Sequence, residues 1–222
     1  MTTWVPARVV FAVTALAALT GVVVQLWSSI HLTGTQFTSR TALAVNVFCY
    51  FTVQSNVIVM VTTTAALALR PDRPSTVFRV ARLTGVVAIT ITFVVFHVAL
   101  AGLQDLTGAA ALANLLLHTV VPVLAVGGWL VFGPRRATSG RIAALTLVFP
   151  FLWSVLALVR GPIVDFYPYP FVDVRVLGYP RVLVNMLLVG VLFIALSSVA
   201  VLADRRLPGR GAGRGAGRLT PR

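Results

Sequence analysis

Long apolar runs separated by short polar connections dominate the chain. Six of these runs approach the roughly 20 residues that a helix needs to cross the hydrocarbon core of a bilayer. The pattern predicts an all-α polytopic membrane protein, a bundle of about six transmembrane helices. The predicted spans are Val9–Ile30, Leu43–Leu69, Leu83–Ala101, Ala111–Phe132, Ile142–Val159 and Gly178–Ala203.

The first two runs each raise a question of their own. A signal peptide is an alternative for the first run. The apolar part of a signal peptide, however, is only about 7–15 residues long and ends at a small-residue cleavage site. The run here is longer and no clean site follows it, so we expect a permanent anchor. The second run is longer than a straight span needs, which predicts a tilted helix or an interfacial first turn.

Composition supports a membrane protein of one domain. Of the 222 residues, 58% are hydrophobic and only 10% are charged, whereas a soluble domain carries about 25% charged residues. The length suits one compact bundle rather than two domains. The single cysteine, Cys49, excludes an internal disulfide and a multi-cysteine metal site.

The charged residues predict the orientation of the chain in the membrane. All 18 basic residues are Arg and all 5 acidic residues are Asp, a bias typical of a GC-rich bacterial genome. Arginines concentrate before the first span, in the second and fourth connections, and after the last span, while three of the aspartates lie in the third and fifth connections. This positive-inside pattern predicts an even number of spans, cytoplasmic termini and a location in the plasma membrane.

The last residues form a separate region. We expect residues 1–206 to form the transmembrane domain and residues 207–222, rich in Gly, Ala and Arg, to be a disordered cytoplasmic tail, because such a sequence cannot bury a core. An alternative role for the tail is attraction to anionic lipids. Nucleic acid is not an expected partner, since no aromatic residues alternate with the arginines.

Polar residues inside the predicted spans are few and fall into one layer. Thr52, Ser55 and Asn56 have the i, i+3, i+4 spacing of one helical face. At 1.5 Å per residue, the polar groups lie about 6–13 Å from the outer ends of their spans. The set is completed by Gln54, His97, Asn114, His118 and Asn185. The layer predicts a pocket in the outer half of the bundle, although hydrogen bonding between helices is an alternative role for each Thr, Asn and Gln.

A threonine and a histidine in such a layer suggest nucleophilic catalysis. A neutral imidazole, here His118, takes the proton of a hydroxyl, here Thr52, as the hydroxyl attacks a carbonyl. The resulting oxyanion needs fixed donors, and the expected ones are amides of the polar set, Gln54, Asn56, Asn114 and Asn185. No Asp or Glu lies within a predicted span. The residue that orients His118 is therefore expected to be Asp165 or Asp173 of the fifth connection, or Asn114 one turn before it.

Three segments resemble a known family. Phe51-Thr52 within YFTVQSN, residues 114–122 with the sequence NLLLHTVVP, and Tyr169-Pro170-Phe171 within DFYPYPFVD are similar to segments of the androgen-induced membrane proteins. These are transmembrane threonine hydrolases that cleave fatty-acid esters of hydroxy fatty acids, and the likeness to their bacterial six-span relatives is greater still. The resemblance covers most of the chain up to the tail. It implies that Thr52 is the nucleophile and His118 the general base.

The fifth connection is the longest segment predicted to lie outside. Its aromatic residues include Tyr167, Tyr169 and Phe171. Tyr and Phe suit a membrane interface, so an interfacial anchor is one interpretation. The other is a lid that excludes water from the pocket until a lipid enters.

Together these observations favour an intramembrane hydrolase of lipid carboxylic esters, with membrane lipids and a lipid-like substrate as partners and no cofactor or metal. Two alternatives from other classes stay open. His97 and His118 on adjacent spans are candidate axial ligands for a haem. A transporter or a non-catalytic lipid-binding protein is the other alternative, although no inverted repeat or Gly/Pro-broken helix of the transporter kind is evident.

Overall fold

A computed structural model describes residues 4–69, 74–133 and 135–207. The described residues are helical and contain no strand. The helices are α1 Trp4–Ile30, α2 Arg40–Val47, α3 Phe51–Leu69, α4 Thr76–Val95, α5 Gly108–Leu115, α6 Val121–Phe132, α7 Gly140–Thr146, α8 Val148–Val164 and α9 Val174–Arg206. The π-helical turn Phe96–Leu100 continues α4, and the π-helical turn Leu116–Val120 joins α5 to α6. A 3₁₀ turn occupies Pro170–Val172. Arg70, Arg73 and the predicted disordered tail from residue 208 onward lie outside the described residues.

Six of these segments are long and apolar enough to cross a bilayer, which confirms the predicted span count and fold class. They are Val5–Ile30, Phe51–Ala68, Thr76–Leu100, Gly108–Phe132, Gly140–Val164 and Val174–Arg206, called spans 1 to 6 below. Spans 2 and 3 are the most buried and spans 5 and 6 the least. The chain is therefore a multi-pass membrane protein with a central pair of helices.

The ends of several spans differ from the predicted ones, because polar caps rather than apolar runs set where a helix begins. Ser75 accepts a hydrogen bond from the Phe78 amide and Ser139 from the Ile142 amide. Span 3 therefore begins seven residues, and span 5 two residues, before its predicted start. The second run is broken after α2, and span 2 begins only at Phe51. Thr52 thus lies in the first turn of its helix and not about 13 Å along it.

The bundle has two distinct ends. The end with the first, third and fifth connections is called the site end, and the opposite one the termini end. At the termini end, Asp204 is fully buried in the last turn of α9 and accepts hydrogen bonds from the amide and the hydroxyl of Thr138. Asp204 lies just beyond the predicted end of the sixth span but within the helix, because α9 extends to Arg206. Arg82 lies over the ring of Phe11 at the same end.

Candidate active site

Thr52 and His118 meet at the site end of the bundle. Thr52 Oγ1 lies 3.3 Å from His118 Nε2, although the two residues are 66 positions apart in the chain. Thr52 is buried and His118 half-buried. The structure thus brings together the two residues that the sequence singled out as nucleophile and base.

A π-helical turn positions His118. In this turn the Val121 amide donates to the carbonyl of Leu116, five residues back, instead of to Leu117. Pro122 follows and has no N–H to donate, and its ring would clash with the carbonyl four residues back in a regular helix. The freed carbonyl of Leu117 accepts a hydrogen bond from Asn56 Nδ2, 3.1 Å away. π turns of this kind are frequent at functional sites.

A backbone carbonyl orients the imidazole. His118 Nδ1 is 3.1 Å from the carbonyl oxygen of Asn114, so the residue predicted as an orienter acts through its main chain. The expectation that Asp165 or Asp173 orients His118 is wrong, because both carboxylates bond Arg175, at 2.9 and 2.6 Å. The hydrogen bond from Arg175 holds the pKa of Asp173 below its usual range.

Tyr169 is the third side chain at the site. Its hydroxyl oxygen is 3.1 Å from Thr52 Oγ1 and also accepts a hydrogen bond of 3.1 Å from the Thr52 amide. The ring packs on Trp153 and Phe171 and is buried. Burial raises the pKa of Tyr169 to about 12, which its hydrogen bonds with Thr52 only partly oppose. The sequence placed Tyr169 in an anchor or lid, and no sequence signal connected it with Thr52.

Three of the four amides that were expected to hold an oxyanion donate to backbone carbonyls. Gln54 Nε2 donates to Phe48, Asn185 Nδ2 to Phe171, and Asn56 Nδ2 to Thr52 as well as Leu117. The Asn114 side chain makes no hydrogen bond among the described residues, and its carbonyl faces His118. Asn56 thus uses both of its amide protons on carbonyls and has none left for an oxyanion, whereas Gln54 and Asn185 each use one of two.

Ser55 completes the polar face of span 2. Its hydroxyl bonds the Thr52 carbonyl at 2.9 Å and the Thr92 hydroxyl at 3.0 Å. Thr52, Ser55 and Asn56 are all buried. The predicted single face is present, and two of its members fix the backbone of the third.

His97 lies apart from Thr52. It is exposed in the other π turn, and its Nε2 is 3.4 Å from Thr119 Oγ1. The Phe96 ring packs against both imidazoles, stacked on His118 at 4.2 Å and edge-on to His97 at 5.1 Å. Each histidine thus directs Nε2 at a threonine hydroxyl, an arrangement that fits proton transfer better than paired haem ligation. No group of three potential metal ligands occurs in the described part of the chain.

A large apolar cavity begins at Thr52. Its volume is about 450 Å³, within the range of roughly 300–1,000 Å³ of small-molecule sites. Thr52, Tyr169 and Phe171 line its site end, and its walls come from spans 3, 5 and 6 down to Leu147 and Ile194. Wall residues of spans 5 and 6 such as Phe151 and Leu187 are each 67% exposed, so the cavity opens sideways between these two spans.

The fifth connection is held in place over this end of the cavity. Gln36 of the first connection donates to the carbonyls of Val164 and Asp165. Tyr167 packs so closely on Gly161 that any side chain at that glycine would overlap the ring. Of the predicted lid residues, Tyr169 and Phe171 line the cavity, whereas Tyr167 does not.

The geometry therefore provides a hydroxyl and a phenol at the head of an apolar cavity, with a base in contact with the hydroxyl. No model of a known protein family matches this chain, and no curated protein and no solved structure matches it. The site itself is thus the basis for inferring function.

Proposed function

We propose that the protein hydrolyses carboxylic esters of lipids within the membrane, with Thr52 as the nucleophile and His118 as the general base. The observation that carries this proposal is the 3.3 Å contact between Thr52 Oγ1 and His118 Nε2 at the head of a 450 Å³ apolar cavity. A threonine hydroxyl is a poor nucleophile unless a base accepts its proton. Here the base is already within hydrogen-bonding distance.

The cavity supports a lipid as the substrate class. An acyl chain that enters between spans 5 and 6 lies among aliphatic and aromatic side chains and places its ester carbonyl next to Thr52. The resemblance of the segments around Thr52 and His118 to the transmembrane threonine hydrolases points to the same chemistry. We assign the protein to the plasma membrane with both termini in the cytoplasm, from the arginines at the termini end.

Covalent labelling tests the nucleophile. A long-chain fluorophosphonate, which phosphonylates an activated hydroxyl with loss of fluoride, should label the purified protein at Thr52 and at no other residue. The label should be absent in Thr52→Ala and strongly reduced in His118→Gln. Peptide mass spectrometry locates the modified residue.

Hydrolysis of a long-chain ester in detergent micelles provides the second test. Thr52→Ala should abolish hydrolysis, and His118→Gln should reduce it about 10²–10⁴-fold, as loss of a general base does. The double variant should be little worse than either single one, because nucleophile and base act as a unit. Thr52→Ser is the matched control: it keeps the hydroxyl and should keep measurable activity.

Full activity in Thr52→Ala would remove the nucleophile assignment. A protein that binds the ester in the cavity without labelling or hydrolysis would instead be a non-catalytic lipid-binding protein, which is the function that the cavity alone supports.

A further inference from the structure

The site has a hydrogen-bond donor that directly contacts the hydroxyl of Thr52. We propose that the phenol of Tyr169 donates the hydrogen bond that stabilises the oxyanion formed when Thr52 attacks an ester; this role rests on the proposed hydrolase function. Tyr169 touches the reacting oxygen directly, since its hydroxyl is 3.1 Å from Thr52 Oγ1.

The hydrogen bonds at the site have one consistent direction. The carbonyl of Asn114 can only accept, so His118 carries its proton on Nδ1 and leaves Nε2 as an acceptor. The Thr52 hydroxyl then donates to Nε2. The only proton of Thr52 Oγ1 is engaged in that hydrogen bond, so the phenol of Tyr169 must be the donor in its contact with Oγ1. The phenol proton therefore already points at the atom that attacks.

The reaction step balances with these three groups. Thr52 Oγ1 forms a bond to the ester carbonyl carbon, its proton passes to His118 Nε2, and the π electrons of the carbonyl move to its oxygen. That oxygen shares a carbon with Oγ1, so rotation of the Tyr169 hydroxyl transfers its hydrogen bond from one to the other. Collapse breaks the bond to the alcohol oxygen, which takes the proton from His118 and leaves acyl-Thr52. Water attacks the acyl group by the same steps in reverse and releases the acid.

Two features favour the phenol as a hydrogen-bond donor here. The Thr52 amide, in the first turn of α3, donates to the Tyr169 oxygen, and a helix N-terminus carries partial positive charge that polarises the O–H bond. Burial among aromatic rings raises the pKa of Tyr169 to about 12, so the proton stays on the phenol at neutral pH. In an apolar site such a preorganised donor counts for more than it does in water.

Tyr169→Phe tests the inference, because it keeps the ring and removes only the hydroxyl. We expect kcat to fall about 10²–10³-fold, as after loss of one oxyanion donor, with KM changed by less than about threefold because the apolar wall is intact. The matched control is Tyr167→Phe in the same connection, whose hydroxyl has no hydrogen-bond partner among the described residues. It should keep wild-type kcat.

A transition-state analogue separates this role from a structural one. A long-chain trifluoromethyl ketone forms a tetrahedral adduct with Thr52 whose oxygen is negatively charged, while the matching ether binds the cavity without reacting. Tyr169→Phe should weaken the ketone by the same factor as it lowers kcat/KM and leave affinity for the ether unchanged. A variant that is merely misfolded would lose both ligands.

Wild-type kcat in folded Tyr169→Phe would overturn the inference and leave the proposed hydrolase intact, provided that Thr52→Ala is inactive in the same assay. If Tyr169→Phe does not fold, 3,5-difluorotyrosine at position 169 keeps ring and hydroxyl but ionises at lower pH. Since a phenolate cannot donate, activity should then be lost at lower pH than in the wild type. An unchanged alkaline limit would equally overturn the inference.

Discussion

Asn56 connects the nucleophile to the base. Its Nδ2 donates to the carbonyls of Thr52 and Leu117, one residue in span 2 and the other next to His118 in span 4. Its Oδ1 is buried without a partner among the described residues. A polar atom without a hydrogen-bond partner in the core costs free energy. The presence of Asn56 despite this cost fits a role in positioning Thr52 and His118.

Replacing Asn56 with Leu should therefore separate activity from stability. The change removes two hydrogen bonds and the unsatisfied oxygen but leaves the Leu117 carbonyl without its donor, so we expect the free energy of unfolding to fall by about 1–3 kcal/mol. Hydrolysis should fall tenfold or more, because a misplacement of about 1 Å can cost up to 10²-fold. Gln54→Leu is the control, since Gln54 bonds only the carbonyl of Phe48. Equal activity in both variants would contradict the positioning role. Thermal unfolding in detergent and ester hydrolysis measure the two effects.

At this scale the sequence predicts residues better than it predicts their hydrogen bonds. Thr52 and His118 could be chosen because polar groups in a hydrocarbon layer are rare and because their segments resemble a known pattern. Tyr169 could not be placed beside Thr52, since a contact across 117 positions follows from packing. Asn114 was a predicted orienter of His118, but its use of the main-chain carbonyl and the carbonyl partners of the other amides were missed for the same reason. Local sequence does not tell which carbonyls a π turn or a broken helix leaves free.

Among the helices and turns, the π turn before α6 decides where His118 points. Pro122 supplies no N–H, so the turn widens and the Val121 amide moves to Leu116. A widened turn rotates the residues before it relative to those after it, which changes the direction of the imidazole.

Pro122→Ala should restore a regular α-helical turn. The new amide can donate to the carbonyl of His118 four residues back, and removing an interior proline favours the helix. We expect the melting temperature to stay the same or rise, while hydrolysis and labelling of Thr52 decline because His118 is rotated. The matched control is Pro162→Ala, which also removes a proline from inside a helix, here α8, but does not line the cavity. Undiminished hydrolysis in Pro122→Ala, with Pro162→Ala as reference, would show that the turn is not needed.

Span number followed from hydropathy, whereas helix ends and irregular turns did not. Apolar runs mark what crosses the membrane, but the start of span 3 is set by Ser75 and the start of span 5 by Ser139. In span 6, by contrast, a break in the helix coincides with the start of the predicted apolar run. The backbone of Gly178, with φ of 69°, is non-helical and interrupts α9 there. Gly can adopt this conformation without a steric penalty.

For the molecule as a whole, the arginines predict its orientation. The described arginines at the termini end include Arg8, Arg79, Arg135, Arg141 and Arg205, whereas the salt-bridged Asp165 and Asp173 lie at the site end. Alkaline phosphatase fused after Asp173 should be active, because the enzyme folds only outside the cytoplasm. Green fluorescent protein fused after Leu207 should fluoresce, because it matures only inside. Both reporters on one side would mean that the span count or the topology is wrong.

The sideways opening of the cavity has a consequence for how the rate depends on substrate. A substrate that arrives between spans 5 and 6 comes from the surrounding lipid, so its effective concentration is its mole fraction in the bilayer and not its amount per litre. Adding inert lipid at constant total ester should then slow turnover by surface dilution, although nothing in the aqueous phase has changed. The water for deacylation comes from the aqueous phase, so the two reactants reach Thr52 from different phases.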